Sequence, residues 1–239
     1  MNNRRTLIAA IVGGALLLGA AGLGIIYFVV FAGSSPQKLA LSSPTPSTSA
    51  STSPDSSTGA GTWTVGSGSQ AGYRVREKLA ALSAPSDAVG RTTAVTGTLT
   101  LTQASSGYSV TAANFTVDVS KLSSDQSRRD QRIHSQGLQS DRYPTATFTL
   151  TSPIALAADA GSGQTIHLPA TGDLTIHGVT KSVTIPIDAR LTGSTIELVG
   201  SISFPFSQFG MTPPSIGGFV SVQNTATMEF QLLLTRQGA

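Results

Sequence analysis

The sequence predicts an all-β domain, a sandwich or a closed antiparallel barrel, set behind one N-terminal membrane-crossing helix and a polar spacer. Three observations lead there. From Trp63 to Leu234 apolar residues recur two apart in at least eight short stretches, with no long stretch of period 3.6. Residues 7–32 form an uncharged, mostly apolar run of 26. Between the two lies a segment made almost entirely of Ser, Thr, Pro, Ala and Gly.

Residues 1–6 form a short N-terminus carrying Arg4 and Arg5. The run after it, Leu7 to Ala32, is long enough to cross about 30 Å of hydrocarbon. Positive charge before it, with the next cation only at Lys38, leaves the N-terminus in the cytoplasm and sends the rest outward. Val30-Phe31-Ala32 loosely fits a cleavage site for a secretory leader. The apolar region of such a leader runs to only about 7–15 residues, so the length favours an uncleaved signal anchor. The expected location is the cell membrane, single-pass, with the C-terminal domain extracytoplasmic. The chain has no cysteine, which excludes lipid attachment through one and any disulfide.

Residues 33–61 read as a disordered linker. Ser and Thr fill 12 of the 17 positions 42–58 and Pro three more, leaving nothing to bury. As a flexible coil its 29 residues span on the order of 30 Å. The domain begins at Thr62 and runs to Arg236. Removing Arg4, Arg5 and Lys38 from 15 Lys and Arg, and Asp55 from 12 Asp and Glu, leaves 12 against 11 in the domain. That balance gives no support to nucleic-acid binding.

The strands are laid out in order. Tyr73 and Val75 alternate with arginines, and Val95, Gly97, Leu99 and Leu101 fall two apart. So do Phe115, Val117 and Val119, then Phe148 and Leu150, and Leu174 and Ile176. Val183, Ile185 and Ile187 precede Ile196, Leu198, Ile202 and Phe204, and the closing strand carries Val222, Ala226, Met228, Phe230, Leu232 and Leu234. The polar stretch "SSDQSRRDQRIHSQGLQSDRYP" interrupts this series; Ser and Asp at its start and Pro144 at its end predict one or two helical turns.

No catalytic or metal constellation stands out. His134, His167 and His177 lack ligand spacing and have no cysteine to help them. No serine occupies a GxSxG elbow, and no glycine-rich loop precedes a helix. Asp118 lies on a polar strand face, and Asp125, Asp130 and Asp141 read as solvated caps, not as a converging acid pair. The reading is therefore not an enzyme, with no metal and no cofactor. Arg128, Arg129, Arg132 and Arg142 concentrate charge in a charge-poor domain. They form either a salt-bridged cap or a head-group site for an amphiphile; Lys181 and Arg74 are weaker candidates.

Four ordered motifs carry a resemblance. "WTVGSGSQAGYRVRE", "FTVDVSKLSSDQSRRDQRIHSQGLQSDRYPTATFTLT", "ATGDLTIHGVTKSVTIPI" and "FSQFGM" resemble, in the family's order, segments of the YceI-like polyisoprenoid-binding proteins. The resemblance implies an extended, lipocalin-like antiparallel barrel with a short helical insertion, holding a long isoprenoid or quinone-like lipid inside. It implies no catalytic constellation. The expected lipid-facing residues are Tyr73, Val75, Phe115, Val117, Phe148, Leu174, Ile176, Phe204, Phe206, Met228, Phe230 and Leu232. Gly97 and Gly200, on the same register, are expected to leave room for the ligand. The expected function is a membrane-tethered extracytoplasmic lipid-binding protein; the alternative is a structural or interaction barrel with a filled core.

Overall fold

In the computed structural model, residues 35–43, 59–79, 86–104, 107–216 and 220–237 are described. The expected N-terminus 1–6 and anchor 7–32 lie outside them. Among the described residues no helix is long and apolar enough to cross a membrane. The chain divides into compact units at 1–36 and 37–239, and every strand among the described residues belongs to the second.

Twelve strands are present among the described residues: β1 (Gly61–Val65), β2 (Gln70–Leu79), β3 (Ser86–Thr92), β4 (Val95–Ala104), β5 (Gly107–Asp118), β6 (Thr145–Leu150), β7 (Ile154–Leu156), β8 (Ile166–Ile176), β9 (Val179–Thr192), β10 (Thr195–Phe204), β11 (Ser215–Ile216) and β12 (Val220–Arg236). All their pairings are antiparallel. The circuit runs β1–β4–β5–β6–β8–β9–β10–β12 and closes when β12 returns to β1. It is an eight-stranded barrel in which each wall pairs with the next in sequence. β1 and β2 share one wall position, because β12 pairs with β2 over 220–231 and with β1 over 234–236. β3 and β4 share the next, pairing with β2 and β1.

The alternation seen in the sequence becomes inside and outside. In β9, Val183, Ile185, Ile187 and Ala189 are buried while the residues between them are exposed. Tight turns keep neighbouring walls in register. His177 and Gly178 link β8 to β9 with φ of 53° and 73°, the doubly positive turn whose twist matches a hairpin. The Tyr143 ring lies against His177, centroids 4.6 Å apart, and a Cβ at Gly178 would meet it at 2.6 Å. Between β1 and β2 the Ser69 hydroxyl accepts from Leu233 N–H at 2.9 Å, supplying a partner where the wall bends.

The polar stretch after β5 folds into a helix α1 (Ser127–Arg132) continued by a π-helical turn, Ile133–Gly137. Its caps differ from the expectation. Gln126 precedes α1 without a side-chain cap, while Asp118 caps the turn before it and Asp130 accepts from Ser124 N–H at 3.0 Å. The His134 ring bridges Ser140 Oγ at 2.8 Å and Leu122 O at 2.9 Å, tying the insertion together.

Composition alone assigns residues 37–43 to the spacer, yet they lie on the outer face of the barrel. Ser42 donates both its N–H and its hydroxyl to Glu197, each at 2.9 Å, and Gln231 donates to Ala40 O at 3.1 Å. Arg91 and Arg190 donate to the carbonyls of Gln37 and Ser42. Leu39 and Leu41 are half-buried while Lys38, Ala40 and Ser42 are exposed, so this strap carries a strand's period of two. Beneath it run buried charges on the outward register. Glu229, 2% exposed, pairs with Arg91 at 2.7 Å and Arg74 at 3.5 Å, and Arg190 meets Glu197 at 3.1 Å. Such pairing is what makes buried charge tolerable. Arg74, a weak head-group candidate in the sequence, is held on this outer face.

Candidate functional site

The inward faces enclose an apolar cavity of about 200 Å³. The centre of one water needs only about 10–15 Å³ of such space. Almost no polar atom faces it. All twelve residues expected from the sequence to face a ligand line it, among them Tyr73, Phe115, Phe148 and Phe230 from four different strands.

The cavity stops short of one end. Below the level of Leu99, Leu198 and Leu232, the inward positions are filled by Trp63, Leu101 and Leu234, at 4%, 8% and 0% exposure, with Ile166, Leu191 and Ile196 packed against them. Trp63 is fixed by an Nε1–H···O bond to Gly59 at 3.0 Å. Nothing in the sequence singles out this solid plug, because Trp63 is there one apolar residue in an alternating run.

The opposite end is a cap. Leu122, Ile133 and Leu138 of the insertion line the cavity from one side, and Met211 and Pro214 of the loop after β10 line it from the other. The polar character of the insertion hides these residues in the sequence. A signal is nonetheless present: between Lys121 and Tyr143, Leu122, Ile133 and Leu138 are its only aliphatic residues.

The space at the glycines is taken by rings. A Cβ at Gly200 would lie 2.6 Å from Phe230 Cζ, and one at Gly97 would lie 2.6 Å from Phe115 Cδ1. Gly172 stands in the same relation to Phe148, and Gly90 to Tyr73. Each missing side chain is thus replaced by a ring from a neighbouring strand. The glycines do not widen the lumen directly. They let four rings lie against the wall backbone, in space a Cβ would take from them.

The four arginines expected as head-group contacts do not line the cavity. Arg129 joins Glu77, at 3.2 Å, and also Asp125, so it latches α1 onto β2. Burial works against the charge on Arg129, but hydrogen bonds and attraction to Glu77 and Asp125 outweigh it and raise its pKa. Arg142 lies 5.1 Å over the Tyr143 ring. Arg128 and Arg132 line a shallow depression on the outer side of the cap with Gln131, Ser135 and Gln136. Under the latch, burial raises the Tyr73 pKa far above its ordinary value, an effect only partly offset by Arg129. Its buried hydroxyl lies near the Ser124 hydroxyl, which itself donates to Asp130 at 2.6 Å.

The histidines have separate structural settings. Besides His134, His167 meets Asp188 on the surface at 2.6 Å, and His177 Nδ1 approaches Phe209 O at 3.3 Å. Among the described residues no three His, Asp or Glu side chains are grouped to hold a metal.

A closed meander barrel with a plugged floor, an apolar lumen and a helical cap defines a protein built around an internal hydrophobic space. The family model of the YceI-like domain matches residues 63–234, and the chain belongs to that family. Over 82 residues it is 39% identical to a UPF0312 protein of Vibrio campbellii, covering 34% of this chain and 39% of that protein. Over 81 residues it is 37% identical to Protein YceI of Escherichia coli O157:H7, covering 34% and 37%. The matched stretch therefore spans about two-fifths of each relative. The fold is similar to that of a polyisoprenoid-binding domain from Saccharophagus degradans, with a TM-score of 0.53 at 12% identity, covering 74% of this chain and 99% of that one.

Proposed function

We propose that this chain binds a long-chain isoprenoid or similar amphiphilic lipid inside the barrel and presents it outside the cytoplasm, tethered by residues 7–32. The observation that carries the reading is the unfilled apolar lumen. At about 24 cal/mol per Å³, a void of this size costs roughly 5 kcal/mol, a large part of the whole stability of a typical domain. A sequence that packs one end of the same barrel solidly has the means to fill the other. A lipid chain recovers that cost, at about 0.8 kcal/mol for each methylene buried. Membership of the YceI-like family and the fold shared with a polyisoprenoid-binding domain support the choice of ligand. The filled-core alternative describes only the Trp63–Leu234 end.

The wall is hydrogen-bonded around its circuit and the plug closes one end, so the lipid enters beside the cap. Exposed Arg128 and half-exposed Arg132 stand there, outside the lumen, where a head group would remain. The test is solvent extraction of the purified protein and mass spectrometry of the extract, beside Ala113→Phe, which fills the lumen. A co-purifying isoprenoid lipid strongly depleted in the variant supports the proposal. Equal amounts from both proteins would place the lipid outside the cavity.

A further inference from the structure

We infer that the plug is a stop that fixes how much chain the barrel encloses, so that the lumen selects amphiphiles of about three to four isoprene units. This rests on the reading of the lumen as a lipid chamber.

The length follows from the lining. On β12 the lumen is lined from Ala226 to Leu232, about 20 Å of strand, and on β8 from Leu168 to Ile176, about 26 Å. Strands of a closed barrel tilt by about 35–45° from its axis, so these lengths project to about 15–20 Å along it. An extended isoprene unit advances by four carbon–carbon bonds of about 1.5 Å in zigzag, about 5 Å in all. Three to four such units span the lumen.

The floor is held in place. Leu198 and Leu232 oppose one another across β10 and β12, and one inward position further Ile196 opposes Leu234. Leu99 opposes Trp63 across β4 and β1. The backbone behind them is bonded beyond its ladder. Leu233 O accepts from Gly66 N–H at 2.7 Å and from the Ser69 hydroxyl at 3.3 Å, and Thr62 O accepts from Gln237 N–H at 2.9 Å. With the bond from Trp63 to Gly59, these contacts keep the plug shut against a chain end. The other end is lined by the insertion and the loop after β10, so the head group stays there and the tail points to the plug.

Burial then discriminates by length. A chain that is too short leaves part of the void unfilled. One that is too long leaves surplus methylenes in water beside the cap, each disfavoured about fourfold relative to a micelle.

A competition among chain lengths tests the stop. The full chain is delipidated in detergent micelles, exchanged against an equimolar mixture of geraniol, farnesol, geranylgeraniol and solanesol, and repurified. Mass spectrometry of its extract is expected to show farnesol and geranylgeraniol each at least about tenfold above geraniol and solanesol. Two variants move the floor in opposite directions. Ala189 opposes Leu198, so Ala189→Leu raises the floor, whereas Leu232→Ala lowers it. The ratio of geranylgeraniol to farnesol is expected to fall severalfold in the first and rise severalfold in the second. If Leu232→Ala does not fold, Ala189→Leu decides alone. Solanesol retained as well as geranylgeraniol, or a ratio unchanged in a folded variant, overturns the stop and leaves the lumen as a lipid site. No prenyl alcohol retained, or equal retention by Ala113→Phe, overturns the lumen reading itself.

Discussion

The two ends of the barrel are made from the same strands with the same alternation, yet one is solid and the other hollow. At the plug, inward positions carry Trp63, Leu101 and Leu234, buried in one apolar cluster with Leu191 packed against it. At the level of the cavity many carry alanine, as at Ala71, Ala113, Ala170 and Ala189. Of the aromatic residues at that level, four rest over glycine. Hydrophobic patterning decides which face is inward; the distribution of volume along that face decides whether the inside is core or container.

The strongest test of the contrast is truncation at each end. Trp63→Ala opens a void inside packed atoms and is expected to cost about 3–5 kcal/mol. Phe230→Ala removes a ring that already borders empty space, so it is expected to cost less than half as much. Its larger effect is loss of retained lipid. Denaturant midpoints of delipidated proteins, beside lipid recovery, measure both. Equal stability losses would mean the two ends do not differ in packing.

Gly200→Ala sharpens the same contrast from the opposite direction. The added methyl would stand 2.6 Å from Phe230 Cζ, 2.8 Å from Ile187 Cδ1 and 3.0 Å from Pro186 O. The backbone oxygen cannot retreat cheaply, so the ring has to leave the wall for the lumen. The expected loss is about 1–3 kcal/mol, with reduced lipid capacity. Restored capacity in Gly200→Ala/Phe230→Leu would identify the ring as the cause. If Gly200→Ala binds lipid normally, the ring is not what keeps the lumen open.

These positions show how far the sequence can be read. Period-two alternation brings Val75, Phe148, Met228 and eight others to the inward face without structural help, because inside and outside are local properties of a strand; Phe206 reaches the cavity from the 3-10 turn after β10 instead. Register is not local. That Gly200 lies beside Phe230, or Gly90 beside Tyr73, depends on pairings between distant strands, so in the sequence these glycines look like space. Cap residues Ile133 and Leu138 are hidden by polar neighbours. The strap is harder still: Leu39 and Leu41 alternate only once, and the partner Glu197 of Ser42 lies 155 positions away.

At the cap, the Glu77–Arg129 latch has no counterpart in the plug among the described residues. Glu77→Gln keeps the shape but removes the charge that Arg129 meets. Local opening of α1 is expected to become about tenfold more frequent, equivalent to about 1.4 kcal/mol, and to be visible as faster amide exchange across Ser127–Arg132. Amides of β1 and the end of β12, around the plug, should keep their protection. Acceleration spread evenly over both ends would show that the cap does not open as a separate unit.

The smallest effect concerns the strap and its dependence on acid. Burial pushes the Glu197 pKa upward, but bonds from Gln231, from the N–H and hydroxyl of Ser42, and from Arg190 together outweigh it, so the net shift is below the ordinary 4.5. A carboxylate depressed on folding stabilises the folded form fully above its unfolded value, and that contribution disappears as pH falls through the folded value. Strap docking should therefore be constant from neutral pH down to about 4.5 and weaken below it. Amide exchange at Ala40–Ser43, corrected for the intrinsic effect of pH, reports the release, while the buried Trp63 fluorescence reports the plug and should stay flat through the same interval. Glu197→Gln retains an acceptor for Ser42 but cannot titrate, so its strap should lose the acid-dependent step. A strap that loosens as pH rises toward neutrality, or an unchanged acid step in Glu197→Gln, would transfer the dependence to another group, with Asp87 the first to examine. Its pKa is also lowered, because hydrogen bonds and attraction from Arg76 and Arg74 overcome the opposing effect of burial, and it pairs with Arg74 under the same outer face.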